Sequence, residues 1–354
     1  MRAAINGFGR IGRLAFRAAW ERRLNLDLVA VNDPAGVKTD ALLLEFDSNY
    51  GPFPGSVRTG SGKMYVDGRE IAVYRHRDWS LLPWAELGID IVLECSGRGT
   101  RRAEAERHLT AGARRVLISA PAKGEDATLV LGVNEGDYDP DCHRIISNAS
   151  CTTNALAPVA KVLRDSFGLA WGMMSTVHSY TNSQFIHDRS AENARESRAA
   201  ALNIIPTDTG AAQAVGLVLP ELAGRFEGMA FRVPTPTVSV IDFVCEVGRD
   251  VSPEAVNRAF RAAAAGPMRG ILDVCDRPLV SMDFKGNPLS AIVDSLSTTV
   301  VNTRIVKVVA WYDNEWGYSC RLVDMAAYLL GREPAQLESE PSAEPLDPLA
   351  ARPA

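Results

Sequence analysis

The chain has 354 residues, 46% hydrophobic and 23% charged, with a formal net charge of −5. That length holds two domains of ordinary size, and the mildly acidic balance gives no support to nucleic-acid binding, which shows as a basic face or stripe. No apolar run approaches the roughly 20 residues of a membrane span, and the six cysteines (Cys95, Cys142, Cys151, Cys245, Cys275, Cys320) are scattered without a C-x-x-C pair, which argues against a metal site or a disulfide scaffold.

Met1 is followed almost at once by a strand-like segment, so no signal peptide is expected and the protein reads as soluble and cytoplasmic. "RAAIN" (2–6), "LDLVAVN" (26–32), "IDIVLECSG" (89–97) and "RRVLISA" (114–120) read as buried parallel strands. Between the first two, Ile11, Leu14, Ala15, Ala18 and Ala19 recur at helical spacing. The strand–helix–strand rhythm predicts an α/β fold beginning with a Rossmann-type doubly wound parallel sheet.

"INGFGRIGR" carries G-x-G-x-x-G as Gly7, Gly9 and Gly12, after a strand and at the start of a helix, with Asp33 closing the second strand. In that context the motif predicts a dinucleotide site. Gly7 permits the tight turn, Gly9 lets backbone N–H groups approach a pyrophosphate, and Gly12 lets helix and strand pack closely. The helix N-terminus offers free donors to the phosphates. Asp33 would accept hydrogen bonds from ribose hydroxyls and repel a 2′-phosphate, which favours NAD over NADP.

After about residue 150 the texture changes. "AWGMMSTVHSY", "GMAFRV", "TVSVIDFVCEV" and "TRIVKVVAWYD" read as strands of a mixed, largely antiparallel sheet in a second, α+β domain. "SPEAVNRAFRAAAAG" reads as a helix capped by Ser252 with Pro253 in its first turn. "VDMAAYLLG" reads as a closing helix stopped by Gly331. The expected division is 1–150 and 151–315, with a helix over about 316–331 returning to complete the first domain. The Pro-, Ala- and acid-rich segment 332–354 reads as a disordered tail.

Cys151 lies in "SNASCTTN", among hydroxyls and amides and without aliphatic bulk. Its expected setting is a loop leading into the helix "TTNALAPVAKVLRDSF", whose N-terminus favours a thiolate. Of the five histidines, His178 ends a strand and is followed by hydroxyl residues, while His76, His108, His143 and His187 sit in charged or turn-like segments. His178 is the candidate base, although spacing alone leaves open whether the two side chains meet. Cys95 and Cys245 read as thiols inside apolar strands, and the remaining cysteines as ordinary.

"INGFGRIGR", "SNASCTTN", "VHSYTN", "AALNIIPT", "VGLVLPEL", "RVPTPTVSV" and "AWYDNEWGYS", in that order, resemble the signature segments of the phosphorylating glyceraldehyde-3-phosphate dehydrogenases, and the resemblance covers residues 1 to about 331. It implies a homotetramer in glucose metabolism, acting in glycolysis or gluconeogenesis on a sugar-phosphate aldehyde and inorganic phosphate. It also implies that Cys151 attacks the aldehyde and that His178 takes the proton. Ser150, Thr152, Thr209 and Gly210 would hold the attacking phosphate, and Thr181 and Arg232 the substrate's own phosphate. Arg10, Ile11, Asp33, Arg77, Ser96, Ser119, Asn314 and Tyr318 would join Gly7, Gly9 and Gly12 in contacting the cofactor, Asn314 holding the nicotinamide carboxamide.

Some positions depart from the pattern. Ala155 stands where many relatives carry a second cysteine, and Glu196 and Asp208 add acids near the expected phosphate site. Arg189 and Ser190 replace a usual Leu-Pro and leave NADP as an alternative cofactor, against the opposition of Asp33. The competing readings are the same thioester chemistry on erythrose 4-phosphate or with arsenate, and a non-catalytic nucleotide-binding regulatory protein.

Overall fold

The computed structural model describes residues 1–24 and 26–331; the expected disordered tail lies outside the described residues. Two large sheets carry the fold. The first has nine strands in the order Ala127–Thr128, Ile145–Ser147, Arg115–Ile118, Ile89–Glu94, Arg2–Asn6, Asp27–Asn32, Arg69–Tyr74, Lys63–Val66 and Val57–Gly60. The first seven run parallel, and the last two add an antiparallel edge. From Arg2–Asn6 the chain builds outward first on one side and then on the other. Strand order therefore reverses there and opens a crevice at the carboxyl ends, the usual ligand position in such sheets.

Helix Arg10–Glu21 buries Leu14, Ala15, Ala18 and Ala19, as the spacing predicts, and Phe16 as well, while Ile11 is half-buried. It packs with helix Trp316–Leu329, which returns from the far end of the chain and buries Cys320, Leu322, Val323 and Met325 in the same core. The turn before helix Arg10–Glu21 depends on glycine. Gly7 has φ +89°, and a Cβ there would stand 2.4 Å from the Ser96 backbone; one on Gly12 would stand 2.1 Å from the Gly7 carbonyl oxygen.

The second sheet orders its strands Ile205–Asp208, Phe226–Val233, Leu169–Ser179, Ser239–Val247, Ile305–Tyr312, Ala291–Asp294 and Leu272–Cys275. It is mixed as expected: two neighbouring pairs are parallel and the others antiparallel. Ile241, Phe243, Cys245 and Val247 alternate with less buried residues and face a core shared with helices Cys151–Phe167, Ala211–Val218 and Pro253–Ala265. Ser252 accepts a hydrogen bond from Ala255 N–H and caps its helix, with Pro253 in the first turn.

One local expectation needs correction. The strand holding the "IDIVLE" run ends at Glu94, so Cys95 lies just beyond it. His108 lies in a charged segment as read, helix Arg102–Thr110, and is fully buried there because Trp79, Trp84 and Glu94 enclose its ring.

Candidate active site

Helix Cys151–Phe167 begins at the cysteine itself, one residue earlier than the sequence suggests. Ser150 is its N-cap, the hydroxyl accepting from Thr153 N–H at 3.0 Å. Cys151 is half-buried, and burial pushes its thiol up from the ordinary range. The Arg232 charge, the Thr152 hydroxyl and the backbone N–H groups of Thr152 and Cys151 pull the other way by stabilising the thiolate. Just before the helix, Ala149 has φ +54°, a left-handed conformation that a non-glycine residue seldom adopts.

His178 stands near the end of strand Leu169–Ser179, and its Nε2 lies 3.5 Å from Cys151 Sγ. The parallel register pairs His178 with Arg232 on strand Phe226–Val233, so strand pairing alone brings residues 54 apart in sequence side by side. The His178 Nδ1 atom lies 2.7 Å from both the Ser179 carbonyl oxygen and Arg232 Nη1. A carbonyl only accepts and a guanidinium only donates, so one tautomer satisfies one neighbour at a time. Burial first, then the Arg232 charge, lowers His178 from its ordinary 6.5 to about 3. The pair therefore rests as neutral thiol and neutral imidazole.

Tyr312 carries a role that the motifs do not reveal. Its hydroxyl lies 2.9 Å from both Thr152 Oγ1 and Thr176 Oγ1, and its ring meets His178 edge-on. It thereby ties the first turn of the helix to the strand that carries His178. Tyr318 is buried, and its hydroxyl donates to the Ala149 carbonyl at 2.9 Å. Thr181 bonds within its own loop, to Ser183 and Gln184. Thr209 accepts from Ala211 N–H beside Gly210, the N-cap of the next helix. The Glu196 carboxylate accepts from the Thr207 hydroxyl, Asp208 is exposed, and Arg189 stacks on Phe185.

At the crevice of the first sheet, Gly7, Gly9, Asp33, Arg77 and Ser96 line a cavity of about 670 Å³, together with Trp79 and Cys95. A Cβ on Gly9 would meet nothing within 4 Å, which leaves the turn open for close approach by a ligand. Asp33 is anchored by accepting from the N–H groups of Phe8 and Ala35. Asn314 Oδ1 accepts from the hydroxyls of Ser179 and Ser239, at 2.8 and 3.0 Å. That fixes the amide and leaves its NH₂ as the free end, suited to a carboxamide oxygen. Ser119 pairs with the Cys95 thiol, and Ile11 packs into the core. The Arg10 guanidinium turns to Asp47 and Glu315, leaving its backbone at the helix start. These groups fit a dinucleotide: an open glycine turn for a pyrophosphate, a carboxylate for a ribose and a fixed amide for a nicotinamide.

A thiol and its base beside such a crevice are the equipment of a nicotinamide-dependent aldehyde dehydrogenase working through a covalent thioester. Residues 1–102 match the family model described as the NAD binding domain of glyceraldehyde 3-phosphate dehydrogenase, and residues 150–314 match its C-terminal domain. The chain is 54% identical over 332 residues to glyceraldehyde-3-phosphate dehydrogenase of Geobacillus stearothermophilus, covering 94% of this chain and 99% of the relative. It is 52% identical to glyceraldehyde-3-phosphate dehydrogenase 1 of Bacillus subtilis, over 93% and 98% of the two chains. With the chloroplastic enzyme GAPB of Arabidopsis thaliana it shares 53% identity over 98% of this chain and 78% of the relative. The chain belongs to the glyceraldehyde-3-phosphate dehydrogenase family.

Proposed function

We propose that the protein oxidises D-glyceraldehyde 3-phosphate to 1,3-bisphosphoglycerate, with Cys151 as nucleophile, His178 as base and inorganic phosphate as acyl acceptor. The 3.5 Å contact between Cys151 Sγ and His178 Nε2 at a helix N-terminus carries this reading. With Nδ1–H donated to the Ser179 carbonyl, Nε2 presents its lone pair to the thiol and takes its proton as sulfur attacks the aldehyde carbon. The imidazolium and the Cys151 backbone N–H then face the oxyanion of the hemithioacetal. Bound NAD supplies the hydride acceptor. Oxidation leaves an acyl group on Sγ as a thioester, and phosphate displaces it as acyl phosphate while the sulfur departs as thiolate. A thioester suits this exchange because it keeps the oxidation energy and stays open to a weak nucleophile.

Arg232, with Thr181, would hold the substrate's own phosphate, and Ser150, Thr152, Thr209 and Gly210 the attacking one. Hydroxyls, a backbone N–H and a guanidinium are the natural partners of phosphate oxygens. Arg232 also donates toward His178 Nδ1. A substrate phosphate that draws the guanidinium away therefore frees Nδ1–H for Ser179 and leaves Nε2 as the base.

Arg10 and Ile11 would contribute backbone N–H groups to the cofactor; Gly7, Gly9, Gly12, Asp33, Arg77, Ser96, Ser119, Asn314 and Tyr318 form or support its pocket. The anchored Asp33 carboxylate favours NAD over NADP. Residues 1–150 with the helix at about 316–331 act as the cofactor domain and 151–315 as the catalytic domain of a cytoplasmic homotetramer. No helix among the described residues is long and apolar enough to cross a membrane.

The test is NAD and NADP reduction by D-glyceraldehyde 3-phosphate, with and without phosphate and with erythrose 4-phosphate in parallel. Phosphate-dependent NADH formation that favours the three-carbon aldehyde is expected. Equal rates without phosphate would overturn the acceptor, and a preference for the four-carbon sugar would overturn the substrate.

A further inference from the structure

Three neighbouring strands of the first sheet end in buried polar residues that the chemistry above does not use: Asn6, Asn32 and Glu94. The register sets Asn6 opposite Asn32 on one side and opposite Glu94 on the other. Each leads directly into a wall of the cofactor cavity, at Gly7, Asp33 and Cys95–Ser96 respectively. They form one hydrogen-bonded rail along that cavity, which Asn6 and Asn32 themselves line.

Donors from both sides of the rail converge on Glu94. Trp84 Nε1 can only donate, and it gives to His108 Nδ1 at 3.1 Å. With Nδ1 accepting, Nε2 carries a proton and donates it to Glu94 Oε2, also at 3.1 Å. On the other side Asn32 Nδ2 donates to Asn6 Oδ1 at 2.7 Å, which turns the Asn6 NH₂ toward the same Oε2. Glu94 Oε1 receives the Ser96 N–H at 2.8 Å and the Ser96 hydroxyl. Four donors from three segments thus fill the acceptor directions of one carboxylate that is 1% exposed. No lysine or arginine pairs with it among the described residues; its only charged-type partner is His108. A face of the His108 ring is covered by Trp79, stacked at 5.0 Å and 9°, and Trp79 itself lines the cavity.

We propose that Glu94 is a positioning residue for NAD: a buried carboxylate that draws the Gly7 turn, the Ser96 loop and, through His108, Trp79 into their binding arrangement before the cofactor arrives. Hydrogen bonds to an ionised acceptor are the strong ones. A network with every member satisfied rigidifies what it holds, so the ordering cost is met in folding and not in binding. Glu94 touches neither Cys151 nor His178, so its effect falls on cofactor affinity and not on the thiol chemistry.

Glu94→Gln keeps the shape but replaces one acceptor oxygen with an NH₂. With NH₂ in place of Oε2 the Asn6 and His108 donors point at hydrogens; in the other orientation the Ser96 N–H does, while the Ser96 hydroxyl can turn to accept. In calorimetric titration of the full chain, the E94Q Kd for NAD should rise about tenfold, the order expected for losing a buried charge-assisted bond. The KM for NAD should rise in step, while kcat at saturating NAD and the KM for the aldehyde change by less than about twofold. A Kd within twofold of the parent, or kcat and both KM values worsening together, would overturn the proposal. Should E94Q fail to fold, H108N decides. It removes one donor and should raise the NAD Kd about threefold with kcat retained; an unchanged Kd overturns the proposal.

Discussion

Between Cys151 and His178 the positive charge of Arg232 acts on both partners. It favours the thiolate of Cys151 and disfavours the imidazolium of His178. Burial and that charge hold the imidazole at about 3 in the folded protein, against its ordinary 6.5. Between those values the unfolded chain binds more protons than the folded one. The stability due to a neutral His178 is therefore complete above about pH 6.5 and is lost as pH falls toward 3, at no more than about 1.4 kcal/mol per pH unit. His178→Asn cannot titrate. Its thermal midpoint should fall less steeply than the parent's between pH 6.5 and 4, and parallel curves would show that the imidazole is not held neutral. The same variant should lose about 10²- to 10⁴-fold in kcat, the usual worth of a general base. Arg232→Ala removes a guanidinium expected to meet a phosphate, and charge-assisted bonds of about 1.5–3 kcal/mol each put the loss in kcat/KM near 10²-fold for the phosphorylated aldehyde. Unphosphorylated glyceraldehyde should suffer far less; equal losses on both substrates would remove Arg232 from the phosphate site.

The element that decides the thiol's setting is helix Cys151–Phe167, and its start rests on Ser150, bonded to Thr153 through both backbone and side chain. Ser150→Ala should cost about 1 kcal/mol of stability, the usual worth of an N-cap. Fraying of that first turn should also slow alkylation of Cys151 at neutral pH. An unchanged alkylation rate would mean that the cap does not govern the thiol. Such elements were legible in the sequence because their signals are local: the glycine turn, the Ser252–Pro253 start and the alternation along Ser239–Val247. The register that sets His178 beside Arg232 was not legible from spacing, since it depends on pairing between strands 54 residues apart. Tyr312 sits in an ordinary strand pattern and acquires its role only when Thr152 and Thr176 arrive from other segments. The position of Cys95 beyond its strand and the burial of His108 were not legible for the same reason. Their sequence neighbours are charged or apolar, whereas their surroundings come from Trp79, Trp84 and Glu94 in one case and from the cofactor cavity in the other.

Across the whole molecule the second sheet buries one face under helices; on the other, Phe284 covers Trp311 and Ile292, while strands Leu169–Ser179 and Phe226–Val233 stay open among the described residues. On that open face Trp171, Met173 and Val177 recur at alternate positions of one strand and are 38%, 60% and 39% exposed, with Met229 of the adjacent strand at 38%. Alternation normally sets polar side chains on the solvent side of a half-buried sheet, and here the pattern fails over several neighbouring residues. A contiguous apolar patch on a soluble protein marks a contact surface. The Asp242–Lys307 ion pair beside it suits a face closed by a second copy, since an isologous contact sets each patch against its own likeness. Burying each such side chain is worth roughly 1.5–3 kcal/mol, so a few of them on each subunit support a lasting assembly. Met173→Asp places an unpaired charge at the most exposed of these positions. Sedimentation equilibrium should show the variant as a smaller species than the parent at equal concentration, with the far-ultraviolet dichroism of the folded chain retained. A variant of unchanged mass would mean that this face is not where the subunits of the proposed tetramer meet.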